Sequence, residues 1–163
     1  MIDNIFPTAE IDERFMRQAI KEAEKAYAEN EVPVGCVIVH DGRIIGKGYN
    51  RTESLQDPTA HAEMLAITSA ADYLMSWRLS GATIYCTLEP CAMCAGALIL
   101  ARVDRLVFGA PDRKFGACGS IFNIVSDPRT NHRLAVSMGM LKDDCAAIMQ
   151  KFFQKMRKEN DER

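Results

Sequence analysis

The sequence predicts an α/β protein of three layers (α/β/α), with helices on both faces of a mixed, roughly five-stranded sheet. Three observations carry that expectation. Strand-like and helix-like stretches alternate along most of the chain. The first two strand-like runs are joined by Asp41-Gly42, a tight-hairpin signal that makes the pair antiparallel and the sheet mixed rather than wholly parallel. Finally, 163 residues with 48% hydrophobic and 26% charged side chains fit a single globular domain, with no repeat, linker or low-complexity stretch to divide it.

The elements follow in order. Residues 1–11 lack a periodic pattern and are predicted to form a loose arm. From Asp12, available as an N-cap, Phe15, Met16, Ala19, Ile20, Ala23, Ala26 and Tyr27 fall at helical spacing, and the pattern ends near Asn30. Val34 to His40 and Arg43 to Tyr49 read as the two strands of the hairpin. Arg51 to Pro58 is polar and reads as a loop; Thr59 to Leu74 reads as a helix with Thr59 as its cap. Ala82 to Leu88 is a strand, and Pro90 opens a helix to about Ala101, where its fixed φ and missing N–H suit the first turn. Arg105 to Phe108 is a short strand, and Gly109 to Pro128 a long loop with at most a helical turn. Leu134 to Met138 is the last strand and Asp143 to Lys158 the last helix, with 143–163 forming a C-terminal helix and tail.

Composition excludes several classes. A chain of this size buries roughly 70% of its unfolded surface, so it needs no disulfides. No stretch approaches the ~18 uncharged apolar residues of a membrane span. Met1 to Arg14 carries acidic side chains where a signal peptide carries a basic and then an apolar segment, so a cytoplasmic location and no membrane partner are expected. The net charge of −2 is unevenly spread: residues 1–31 carry −4, residues 101–133 carry +3 and residues 150–163 carry +2. An anionic partner, if there is one, would meet the second half of the chain.

Of six cysteines, Cys36, Cys86, Cys118 and Cys145 stand singly among small or apolar neighbours and read as buried hydrophobes. Cys91 and Cys94 form a CxxC pair in the first turn of a predicted helix, where free backbone N–H groups favour thiolate. His61 opens another predicted helix in Thr59-Ala60-His61-Ala62-Glu63. Two thiolates and one imidazole make three metal ligands with a fourth position open, the count of a catalytic zinc site. Glu63 cannot lie beside His61 on a helix face, yet at a helix start both side chains can approach a common point. A carboxylate there can take a proton from a zinc-acidified water and pass it to a leaving nitrogen. Each piece has a plainer reading on its own: His61 as a cap or packing residue, the CxxC as a redox pair or half a structural zinc site. Taken together, H-x-E followed by P-C-x-x-C is the signature of zinc nucleobase deaminases.

From about Phe15 to Phe153 the sequence resembles the bacterial tRNA-specific adenosine deaminases, within the cytidine deaminase-like superfamily. Glu31-Val32-Pro33-Val34-Gly35, Asn50-Arg51, Asp57 to Glu63, Thr87 to Cys91, Met93 to Ala97 and Val107 to Ala110 carry the likeness. The resemblance implies one zinc per subunit on His61, Cys91 and Cys94, no organic cofactor, and Glu63 as catalytic proton shuttle. It implies a base pocket in which Asn50 hydrogen-bonds the flipped nucleotide, the Ala62 backbone reads the base edge and Val34 packs on the ring. Asp112 would help hold the anticodon nucleotides, and the chain would be a homodimer converting adenosine to inosine at the wobble position of a tRNA anticodon. Beside that loop, Arg113 and Lys114, and on the last helix Lys151, Lys155, Arg157 and Lys158, are expected to meet tRNA phosphates. Pro111 stands where many relatives carry a basic residue. A small-molecule deaminase of guanine, cytosine or a free nucleoside would share the same metal and acid-base residues and is the alternative. A zinc-dependent interaction module without catalysis would differ in making Glu63 dispensable.

Overall fold

A computed structural model describes residues 7–163; of the predicted loose arm, residues 1–6 lie outside the described residues. The elements are α1 (Ala9–Ala28), β1 (Gly35–His40), β2 (Arg43–Tyr49), α2 (Thr52–Leu55), α3 (Ala62–Leu74), β3 (Thr83–Leu88), α4 (Ala92–Leu100), β4 (Arg105–Ala110), β5 (Ala135–Met138) and α5 (Lys142–Asp161). The five strands form a sheet of order β2-β1-β3-β4-β5. β1 is antiparallel to β2 and β3, whereas β3, β4 and β5 run parallel.

The period-two alternation of a strand divides the core into two layers. Val37, Val39, Tyr85 and Val107 face Phe15, Met16 and Ala19 of α1 and Cys145 of α5. Cys36, Ile38, Ile84, Cys86, Leu106 and Phe108 face Ala62, Ala66 and Ala70 of α3 and Leu98 of α4. At the hairpin, Asp41 and Gly42 both take positive φ, 48° and 71°, as the tight turn requires.

Several boundaries differ from expectation, Pro90 for instance lying before the Cys91 N-cap rather than in the first turn, and three of the differences have clear causes. Helix α1 begins at Ala9, not Asp12, because Thr8 is its cap, accepting from the Ile11 N–H at 3.5 Å. Asp12 is instead 5% exposed and clamps α1 to the sheet, with both carboxylate oxygens on the Arg105 guanidinium at 2.8 and 2.7 Å. The Tyr85 hydroxyl also donates to it at 2.8 Å. The loop after β2 contains α2, whose Glu53 and Ser54 N–H groups donate to the buried Glu31 carboxylate at 3.2 and 2.7 Å. Helix α3 starts at Ala62 with His61 as N-cap residue, since Thr59 is bound through its N–H and hydroxyl to Asp57 Oδ1 at 2.8 and 2.7 Å.

The packing of β2 on α3 sets where the first turn of α3 lies. Ala62, Ala66 and Ala70 are fully buried, and Gly46 and Gly48 of β2 let the backbones approach closely. A Cβ at Gly48 would fall onto the carbonyl oxygen of Ala62 and the amide of Ala66. Gly48→Val should therefore overpack this layer, costing about 1–3 kcal/mol and lowering Tm by roughly 2–12 °C. Thermal unfolding of the purified variant checks this; an unchanged Tm would mean the layer is not rigid.

Candidate active site

The start of β1, the end of β2, the first turn of α3, and the turns after β3 and β4 all meet at one end of the sheet. This follows from topology: β1 is antiparallel to its neighbours, so its beginning lies beside the ends of β2 and β3. A cavity of about 390 Å³ opens there, lined by Val32, Val34, Asn50, Thr52, His61, Ala62, Glu63, Leu88, Glu89, Cys91, Asp112 and Phe115. Each residue expected to bind substrate (Val34, Asn50, Ala62, Asp112) is among them.

His61 and Cys91 are the N-cap residues of α3 and α4, and Cys94 lies one turn into α4. His61 Nδ1 lies 3.6 Å from both Cys91 Sγ and Cys94 Sγ. Tetrahedral zinc, with bonds of about 2.3 Å to sulfur and about 2.0–2.1 Å to nitrogen, requires an N···S separation of about 3.6 Å. The residues present thus fit a zinc ion. The protonation pattern agrees: Cys91 is pushed down to about 3, first by the hydrogen bond from the Cys94 thiol and then by His61. Cys94 is pushed up by that hydrogen bond and by burial, and hydrogen bonding to Cys91 raises His61. The cluster thus favours the thiolate at Cys91, and a divalent ion would expel the second thiol proton.

Glu63 is 4% exposed, and burial is the chief cause of its raised pKa. Its carboxylate lies within 4.8 Å of the Cys36 and Cys86 thiols, which face each other across β1 and β3. Those two thiols and Glu63 form a second grouping of possible ligands, but all three are buried and neither thiol lines the cavity, so an ion there would have no position open to substrate. They serve instead as the floor beneath Glu63. Cys118 and Cys145 are also buried and free, as their neighbours predict.

Glu89 has no role legible in the sequence, and the structure supplies one. It is 2% exposed, yet hydrogen bonding to Ser120 and to backbone amides holds its carboxyl below the usual carboxylate range, outweighing burial. It accepts from the N–H groups of Asp112, Cys118 and Ser120 at 2.9, 3.0 and 2.9 Å, and from the Ser120 hydroxyl. One carboxylate therefore organises the loop after β4. Within it, Asp112 Oδ1 accepts from the N–H groups of Lys114 and Phe115 at 2.9 and 3.2 Å.

The expected phosphate contacts divide into two groups. Arg113 and Lys114 are exposed beside the cavity, and Lys114 and Arg157 line a neighbouring groove with Phe153. Lys151 and Lys155 lie over the Tyr27 ring of α1, 5.1 and 5.4 Å from its centroid, and share a cleft with Lys158. Lys155 also donates to the Asn30 side chain at 2.6 Å.

Known proteins match this arrangement. The family described as the cytidine and deoxycytidylate deaminase zinc-binding region matches residues 9–110. The tRNA-specific adenosine deaminase of Bacillus subtilis is 48% identical over 147 residues, covering 90% of this chain and 91% of that protein. The Haemophilus influenzae protein of the same name is 49% identical over 152 residues, covering 93% and 88%. A solved structure from a study of A-to-I editing by tRNA:A34 deaminases at the wobble position superposes with a TM-score of 0.80 at 45% identity, covering 83% of this chain and 98% of that one. With an imidazole and two cysteine sulfurs held at helix starts and spaced for zinc, the chain belongs to this zinc-binding deaminase family, in the branch of the tRNA-specific adenosine deaminases.

Proposed function

We propose that this protein hydrolytically deaminates adenosine to inosine at the wobble position of a tRNA anticodon, releasing ammonia. The observation that carries the chemistry is the convergence of His61, Cys91 and Glu63 on one cavity, with Cys94 buried behind it in one ligand group with His61 and Cys91; the named relatives, at 48% and 49% identity, support the substrate. His61, Cys91 and Cys94 would hold zinc, which when bound supplies a water acidic enough to ionise near neutral pH. Glu63 accepts the water's proton at its carboxylate and returns it to the amino nitrogen leaving C6 of adenine. Burial suits it to both halves of that exchange, because a raised pKa brings a carboxyl group closer to working pH. Val34 and Leu88 offer apolar contact to the ring, Asn50 offers an amide to the flipped nucleotide, and the Ala62 backbone lies within reach of the base edge. Asp112 is the residue of the loop after β4 that faces the neighbouring nucleotides.

The anticodon stem-loop is the recognised part of the tRNA in this reading, the protein is a cytoplasmic homodimer, and the basic side chains of the loop and α5 meet phosphates. Dimerisation rests on the family resemblance. Among the described residues, no helix is long and apolar enough to cross a membrane. The test is incubation with total tRNA followed by sequencing for adenosine-to-inosine changes, beside assays on an anticodon stem-loop, free adenosine, guanine and cytidine. Inosine confined to wobble positions is expected; product from a free base or nucleoside alone overturns the reading.

A further inference from the structure

Phe115 is a phenyl ring that the fold leaves in water beside the catalytic cavity. It is 69% exposed and contributes to the cavity lining, yet it is not packed into either core layer. Its backbone is fixed from several directions. Its own N–H donates to Asp112 Oδ1 at 3.2 Å, and the Gly116 N–H donates to the Asp112 carbonyl at 2.9 Å. The next residue, Ala117, donates to the Pro90 carbonyl at 2.8 Å, and Gly116 forms a bridge with Cys91 itself. Glu89 holds the loop on both sides of the ring through Asp112 and Cys118. There is no room for a larger residue at Gly116, where a Cβ would meet the Asp112 carbonyl and the Glu89 carboxylate. Exposing an aromatic ring on so rigid a loop forgoes the free energy of burying it. The exposure is explained if something flat covers the ring during function.

From this geometry we infer that Phe115 is a stacking platform for the base of a nucleotide next to the reacting adenosine in single-stranded RNA. The inference deepens the functional reading above and rests on it. Three features select this occupant. The ring is continuous with the cavity that would receive the target base, so a neighbour on the same strand reaches it without a change of path. Arg113 and Lys114 immediately before it are exposed cations placed for the connecting phosphates. The backbone is already ordered, so stacking loses little conformational entropy. Single-stranded RNA is commonly held by its splayed bases on such rings, and every base offers the face required. Phe115 is in these terms a specificity determinant: it rewards a polynucleotide and offers nothing to a free nucleoside.

The test compares wild type with Phe115→Ala, Phe115→Leu and Phe115→Tyr, each purified with its zinc, on an anticodon stem-loop carrying the target adenosine. Zinc content and Tm should match wild type in all three, because the ring is exposed. Phe115→Ala should raise Kd and KM for the stem-loop roughly 5- to 150-fold, with single-turnover kcat at saturation nearly unchanged. Phe115→Tyr should restore binding, whereas Phe115→Leu, apolar but without an aromatic face, should not. Removing the base from one of the two flanking nucleotides should weaken wild-type binding by a similar factor and leave Phe115→Ala little further affected. Equal Kd values across the series, on a stem-loop that wild type deaminates, overturn the platform and leave the functional reading standing. A wild type that does not deaminate the stem-loop at all overturns both. Conversion of a wild-type dimer to monomers by Phe115→Ala in sedimentation also overturns it, because a second copy of the chain would then be the ring's cover.

Discussion

Glu63→Gln is expected to leave the protein folded and zinc-loaded while slowing inosine formation by about 100- to 10,000-fold. The amide matches the carboxylate in shape and still accepts a hydrogen bond, but it cannot take up and release a proton. Glu63 is buried against two thiols that burial keeps neutral, so a neutral side chain fits this environment at least as well as a charged one. Stability should accordingly hold or rise, which separates a catalytic defect from a folding one. Single-turnover assays give the rate, and elemental analysis of the same sample gives the zinc. A variant that turns over at the wild-type rate would remove Glu63 from the mechanism, and one that lost its metal would recast it as a ligand.

Cys91→Ala should abolish activity by a different route. Cys91 is the ligand whose surroundings most favour a thiolate, and without it two ligands remain for the ion. Zinc content should fall well below one per chain, with no measurable deamination. The loss should also reach stability. His61 and Cys91 belong to different helices, so the ion ties the first turn of α3 to that of α4. A ligand bound to the native state alone stabilises it by mass action, about 2.7 kcal/mol at a hundredfold excess over Kd. Wild type should therefore melt higher with zinc than with a chelator, and Cys91→Ala should melt at the same temperature in both. A variant that still bound one tight zinc would show that the ion sits elsewhere, and the Cys36, Glu63 and Cys86 grouping would be the first place to look.

The ligands were legible because their geometry is local. A residue at the first position before a helix points over its end wherever that helix lies, so H-x-E and P-C-x-x-C each declare a half-site that the sheet then joins. What escaped the sequence depends on contacts between distant residues. Asp12 has the chemistry of a cap, and only Arg105 and Tyr85, 93 and 73 residues away, show that it is spent as a buried clamp. The helix at Thr52–Leu55 owes its start to a carboxylate at Glu31, invisible to any reading of the polar stretch itself. Glu89 is the clearest instance: three of its partners are backbone N–H groups, which every residue but proline presents, so no side-chain pattern could point to it. For the expected basic contacts, clustering was visible along the chain but direction was not. The structure divides them, with Lys114 and Arg157 on one groove and Lys151 and Lys155 over Tyr27.

The crossed strand directions also partition the molecule for anyone wishing to modify it. Because β1 runs against β2 and β3, every connection that builds the cavity gathers at one rim, and the Asp41-Gly42 bend, the approach to β3 and the approach to β4 gather at the opposite rim. Among the described residues, none of those assigned to the site lies on that second rim. A reporter domain or affinity handle grafted into the bend would project away from an arriving nucleic acid, leaving the working end sterically clear.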